Sequence, residues 1–75
     1  AVRLGEMKPG MSGRVLRLDG DGALRVRLLE MGLTPGTRVQ VCRAAPLGDP
    51  LALRLRGYSL SLRREDAMRV EMEAT

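Results

Sequence analysis

The sequence predicts a small, mainly β fold: a partly open barrel of about five short strands, with one α-helix and a short helical turn near the C-terminus. Three observations carry that expectation. Apolar residues alternate with polar ones in several short runs, such as Val39/Val41, Leu51/Leu53/Leu55 and Leu60/Leu62. Glycine, proline and aspartate punctuate those runs at regular spacing. One stretch alone, Ala23 to Gly32, carries helical spacing.

Leu4 to Gly10 reads as a lead-in and turn, in which Leu4 and Met7 share a face and Pro9-Gly10 reverses the chain. Met11 to Leu18 is the first expected strand, although Val15 and Leu16 are adjacent and break the alternation. The loop "DGDG" follows. Asp21 is placed to cap a helix, its carboxylate accepting from the first free N–H groups. In "ALRVRLLEMG", Leu24, Leu28 and Met31 fall at i, i+4 and i+7, Val26 and Leu29 widen the apolar surface, and Arg25 and Glu30 lie off it. Gly32 is expected in the left-handed conformation just past the helix, with Leu33 folding back on Leu28 and Pro35 preventing resumption.

"TPG" is a turn, and Thr37 to Ala44 a strand with Val39 and Val41 on one face and Gln40 and Cys42 on the other. After a proline-containing loop, Leu51 to Arg56 points its leucines inward and Ala52, Arg54 and Arg56 outward. A tight turn at Gly57-Tyr58 leads to "SLSL", with Leu60 and Leu62 inward. "RREDA" reads as one helical turn, and "MRVEM" as a closing strand with Met68, Val70 and Met72 on one face. No repeat, linker or low-complexity segment interrupts the chain, so residues 1–75 are expected to form one domain.

Composition excludes several classes. At 75 residues the core must be economical, yet 44% hydrophobic residues suffice for a folded domain. No apolar run approaches the ~20 residues of a membrane span, and no signal-peptide pattern opens the chain. A cytoplasmic location without membrane insertion is therefore expected. With no histidine, Ser/His and Cys/His catalysis is impossible. "DGDG" cannot serve as a phosphate loop, because its aspartates repel phosphate. The expected protein is not an enzyme and holds no cofactor.

Metal chemistry fares little better. Cys42 could be a thiolate ligand, but a small packing residue is the expected role, since free cysteine is among the most buried types. Glu71 and Glu73 share a strand face and Glu65 and Asp66 are neighbours, a pattern that suits a solvated edge better than a tight cation site. Met31, Met68 and Met72 sit in core phase and read as gap fillers.

Thirteen cations against nine acids give +4, which favours nucleic acid, acidic protein surfaces or anionic membrane. Arg54 and Arg56, with Arg14 and Arg17 on a strand expected beside them, could form a phosphate-binding stripe or an ordinary solvated exterior. Tyr58 is the one aromatic residue, which counts against binding by base stacking.

The loop "APLGDP" raises a separate question. Pro46 and Pro50 stiffen it and remove two donors, Gly48-Asp49 supplies the turn, and Leu47 stands among them. A stiff loop loses little entropy on docking, so Leu47 suits partner recognition; alternatively it folds down to plug the barrel's open end.

Six segments, in order and closely spaced, resemble the FeoA family, the small cytosolic component of bacterial ferrous-iron uptake: "LGEMKPGMSGRVLRL", "LLEMGL", "TPG", "APLGDP", "RGYSLSLRREDA" and "RVEM". The resemblance covers essentially the whole chain. It implies an SH3-like barrel, no catalysis, and work with FeoB, a membrane permease whose cytosolic part binds and hydrolyses GTP. The implied protein docks on that permease, through its cytosolic or membrane-proximal part, and sits at the inner membrane through it, without tight metal. The expected docking surface is Pro46, Leu47, Gly48, Asp49 and Pro50, with the helix flank at Leu24 and Arg25. The same fold serves as an accessory domain in iron- or manganese-dependent repressors. Such a repressor would carry a DNA-reading helix-turn-helix upstream, for which this chain has no room, so the free-standing protein is favoured. A small basic nucleic-acid-binding barrel and a detached repressor domain remain the alternatives.

Overall fold

In the computed structural model, which describes residues 1–44 and 48–74, the chain forms a six-stranded antiparallel sheet in the order β1-β6-β2-β3-β4-β5. The strands are β1 (Val2–Arg3), β2 (Ser12–Leu18), β3 (Arg38–Ala44), β4 (Leu51–Leu55), β5 (Tyr58–Leu62) and β6 (Val70–Ala74). Helix α1 is Gly22–Glu30, α2 is Arg64–Ala67, and a 3-10 turn covers Leu4–Glu6. The mainly β class is as expected. The added strand is β1, two residues of the lead-in that pair with β6 through Val2↔Met72 and Arg3↔Glu71.

The core is aliphatic. Leu4, Met7, Val15, Leu18, Leu28, Leu33, Val39, Val41, Leu51, Leu53, Leu55, Leu62, Ala67, Val70 and Met72 form one buried cluster. Each fully buried leucine or valine contributes about 1.5–3 kcal/mol relative to exposure, so many small contributions replace the few large aromatic ones common in domains of this size. The lead-in joins this cluster through Leu4 and Met7, which share a face across the 3-10 turn.

Two β-bulges account for the broken alternation. Between β2 and β6 the register passes from Val15↔Met72 to Arg17↔Glu71, leaving Leu16 as the extra residue. Val15 and Leu18 are therefore both inside although three residues apart, with Leu16 and Arg17 both exposed between them. Between β3 and β4 the register passes from Val41↔Leu53 to Arg43↔Ala52, leaving Cys42 over. Cys42 is exposed, so its expected packing role does not hold: alternation with buried Val41 turns it outward, and the bulge turns Arg43 to solvent as well.

The end of α1 follows the expected design closely. Gly32 N–H bonds the Leu29 carbonyl at 3.0 Å and Leu33 N–H bonds the Leu28 carbonyl at 3.1 Å, the paired bonds of a Schellman motif. Gly32 has φ +106°, and Leu28 and Leu33 are both fully buried. The other end differs. Asp21 stands at the N-cap, but its carboxylate makes no capping hydrogen bond. Val26 is 52% exposed and adds nothing to the buried face, because only Leu28 of α1 reaches the core fully, with Leu24, Leu29 and Met31 partly covered.

The β4–β5 hairpin turns one residue earlier than expected. Leu55↔Tyr58 is the closing pair, and Arg56 (φ +50°) and Gly57 (φ +82°) are the central residues, both with positive φ as a type I′ turn requires. Tyr58 thus begins β5, and Arg56 leaves the strand to donate to Thr34 Oγ1 at 2.8 Å and Thr37 Oγ1 at 2.9 Å. Met68 is the C-cap of α2 and partly exposed, so it does not share the inward face of Val70 and Met72.

Candidate functional site

The loop before β4 is held at its base by one side chain. Arg64, the first residue of α2, donates from Nε to the Gly48 carbonyl at 3.0 Å and from Nη1 to the Gly5 carbonyl. Its backbone N–H meets Asp49 Oδ1 at 2.9 Å. The Asp49 carboxylate thereby satisfies one of the unpaired donors that open every helix, and it does so from a distant loop. Three segments far apart in sequence, the 3-10 turn, the loop and α2, are joined at a single guanidinium. Its planar fork of donors suits this task, since carbonyls in two directions can be served at once.

Of the expected docking residues, Gly48 is half-buried and Asp49 and Pro50 are exposed, with Asp49–Pro50 a cis peptide. Pro46 and Leu47 lie outside the described residues. Leu24 is half-buried against the core and Arg25 is exposed on α1. Among the described residues, no hydrogen bond or ion pair links the helix flank at Leu24 and Arg25 to Gly48, Asp49 or Pro50.

The arginine stripe is not assembled as expected. Strand β3 separates β2 from β4, so Arg14 and Arg17 are not beside Arg54. Arg17 pairs with Glu71 at 2.9 Å and Asp19 at 3.5 Å. Asp19 also receives Arg3 Nη1, and this hydrogen bond is the chief reason its carboxyl is held below the ordinary carboxylate range. The bond to Glu71, more than the nearby charge of Asp19, holds the Arg17 guanidinium above its ordinary value. Arg14 stands opposite Arg38 instead, a like-charged cross-strand pair.

Charge is therefore divided along the sheet. Among the described residues, every ion pair lies at the β1-β6-β2 end. Residues 38–63 hold five arginines and one acid, Asp49, while the rest of the chain holds eight cations and eight acids. The whole net charge of +4 thus lies in the part that forms β3, β4 and β5.

Among the described residues, no three cysteine, aspartate or glutamate side chains gather as they would around a metal ion. Glu71 is engaged by Arg17, which accounts for one of the two strand carboxylates. No described helix is long and apolar enough to cross a membrane.

This is a small SH3-like β domain. The FeoA domain family model matches residues 2–74, and the chain belongs to that family. It is 43% identical over 72 residues, 96% of its length, to the Fe(2+) transport protein A/Fe(2+) transporter FeoB fusion protein of Porphyromonas gingivalis, and spans 8% of that relative. An FeoA-like protein from Clostridium acetobutylicum has the same fold, with TM-score 0.91, 37% identity, and coverage of 97% of this chain and 85% of that one. The zinc complex of Stenotrophomonas maltophilia FeoA, described as a prokaryotic SH3 domain protein, matches with TM-score 0.84 and 27% identity over 97% and 91% of the two chains. A manganese-dependent transcriptional repressor shares the fold (TM-score 0.91) at 16% identity, covering 100% of this chain and 41% of the repressor.

The clamp by Arg64 was not legible in sequence, because its partners lie 16 and 59 residues away. The Thr34–Arg56–Thr37 contact was missed for a related reason. Arg56 reads as a strand residue until the turn is placed one position earlier.

Proposed function

We propose that this protein is a non-catalytic accessory component of bacterial ferrous-iron uptake that acts by binding an FeoB-type GTPase permease. The observation that carries the reading is the fusion of an FeoA to an FeoB transporter in the Porphyromonas gingivalis relative. Two activities joined in one chain work at high mutual concentration, and the join is useful when the separate partners must meet. In this reading iron is the permease's cargo, and the small domain touches the transporter rather than the ion.

The docking surface we propose is the loop Pro46, Leu47, Gly48, Asp49 and Pro50 together with Leu24 and Arg25 on α1. Support comes from the loop's anchored base. With Gly48 and Asp49 held by Arg64, these two residues lose less freedom on docking, which lowers its entropy cost. The protein would sit at the cytoplasmic side of the membrane through its partner.

The test is an amide chemical-shift titration of the labelled chain with the cytosolic domain of the cognate permease, with and without a GTP analogue. The expected result is localised shifts at Gly48, Asp49 and the Leu24–Arg25 flank, lost in Leu47→Asp with the fold intact. Normal binding by Leu47→Asp removes the loop from the interface. No shifts at high concentration of the domain would count against docking on the cytosolic part.

A further inference from the structure

We propose that the free edge of β5 takes an extended, acidic segment of a partner protein as a further strand of the sheet. This goes beyond the permease reading, since it names a different surface and a chemistry of partner rather than a particular one.

Strand β5 ends the sheet. It pairs with β4 through Leu51↔Leu62, Ala52↔Ser61, Leu53↔Leu60, Arg54↔Ser59 and Leu55↔Tyr58, and with no other strand among the described residues. The pair that closes a two-residue turn exchanges both backbone hydrogen bonds, and such pairs alternate along an antiparallel ladder. Tyr58, Leu60 and Leu62 therefore turn their N–H and C=O groups toward β4, and Ser59 and Ser61 turn theirs away. Among the described residues, no backbone or side-chain group bonds to that outer side. It presents two donors and two acceptors about 7 Å apart along the strand, the spacing a partner strand matches.

Natural sheets protect such edges with charges, proline, bulges or very short strands. The opposite edge follows that rule, for β1 is two residues long and leads straight into the 3-10 turn. The β5 edge does not. "YSLSL" has no charge, no proline and no bulge, and its outward residues Ser59 and Ser61 are small and exposed.

The surroundings select the occupant. Arg54 lies opposite Ser59, Arg56 sits in the turn at one end, and Arg63 follows the strand at the other. Arg56 bonds only neutral hydroxyls, so its charge is not cancelled, and the net +4 of the chain is concentrated in this region. Of the acids near the Arg63 end, Asp49 is engaged by the N–H of Arg64, and Glu65 and Asp66 of α2 are matched in number by Arg64 and Arg69. A second copy is a poor occupant: antiparallel pairing of two β5 strands about Leu60 brings the Arg56–Gly57 turn of one toward Arg63 of the other, twice, placing like charges together at both ends. An extended segment rich in carboxylates meets the arginines at both ends while its main chain completes the ladder.

Because main-chain bonds and charge carry the recognition, a generic probe suffices and the permease is not needed. The labelled full chain is titrated at low salt with a synthetic peptide of about ten alternating threonine and glutamate residues, and with its threonine–lysine counterpart. The expected result is shifts centred on Ser59 and Ser61 with slowed amide exchange at both, and binding roughly ten-fold weaker for the lysine peptide. Ser61→Pro removes an outward donor and should abolish binding. Arg54→Glu, which leaves the backbone untouched, should weaken the acidic peptide and strengthen the basic one. Equal binding of both peptides, shifts away from β5, or indifference to Arg54→Glu overturns the proposal. So does binding of a single-stranded oligonucleotide at β5 in place of the acidic peptide, or a concentration-dependent dimer formed through that strand. The permease titration can fail while this one succeeds, and the reverse.

Discussion

The backbone N–H of Arg64 donates to the carboxylate of Asp49 at 2.9 Å, so the first turn of α2 is capped by a residue from a loop fifteen positions earlier. Arg63, at the formal N-cap of α2, contributes no side-chain capping bond. A four-residue helix has little stability of its own, and one cap is a large share of what holds it.

Asp49→Ala should therefore cost about 1 kcal/mol of stability, the usual price of losing a cap. Asp49→Asn retains an acceptor and should recover most of it. Urea unfolding of the three proteins checks this, and equal midpoints for wild type and Asp49→Ala would show that the cap carries no weight.

Gly32→Ala should be more damaging than its size suggests. The residue sits at φ +106°, and an added Cβ would come within 3.2 Å of the Tyr58 hydroxyl. Gly36→Ala is the matched control, with φ +90° and nothing within 4 Å. The control should lose about 1–2 kcal/mol from the left-handed backbone alone. Gly32→Ala should lose more, and the difference measures the packing of the hairpin against the end of α1.

Gly13 is restricted by space rather than by conformation. A Cβ there would lie 2.5 Å from the Glu73 carbonyl oxygen, where β2 and β6 cross closely. Gly13→Ala should destabilise the domain and separate the two strands. Loss of the slow amide exchange across β2 and β6, with β4 and β5 unchanged, is the expected signature.

Asp19 predicts an acid dependence. Its folded carboxyl titrates below the ordinary value, so it binds its proton less readily folded than unfolded. Its stabilisation is complete above the unfolded value, about 3.9, and is lost as pH falls through the lower folded value. The urea midpoint of Asp19→Asn should fall below wild type at neutral pH and converge with it in acid. Added salt should shrink the gap, because Arg3, Arg17 and Asp19 all remain partly open to water.

Cys42 should react with a thiol reagent in the native protein, since it lies on the outer face of β3, next to buried Val41, and is exposed. One thiol per chain modified without denaturant is the expected count. Protection until unfolding would place it inside after all.

The local elements follow from short continuous runs of residues. Period-two leucines and valines specify β3, β4 and β5, because alternate residues of a strand must face opposite ways. Leu28, Gly32 and Leu33 specify how α1 ends, because a positive φ and two hydrogen bonds close within six residues. The segments resembling FeoA were legible for the same reason, each being short and continuous. The remaining features depend on neighbours distant in sequence. Strand order parted Arg14 and Arg17 from Arg54, two one-residue bulges sent Arg17 and Arg43 outward, and Arg64 joined a loop to a turn 59 residues away. The edge position of β5 belongs with these, since a strand's own residues do not state how many neighbours it will have. Pairing partners are chosen by the whole core at once, and no window of local sequence contains that choice.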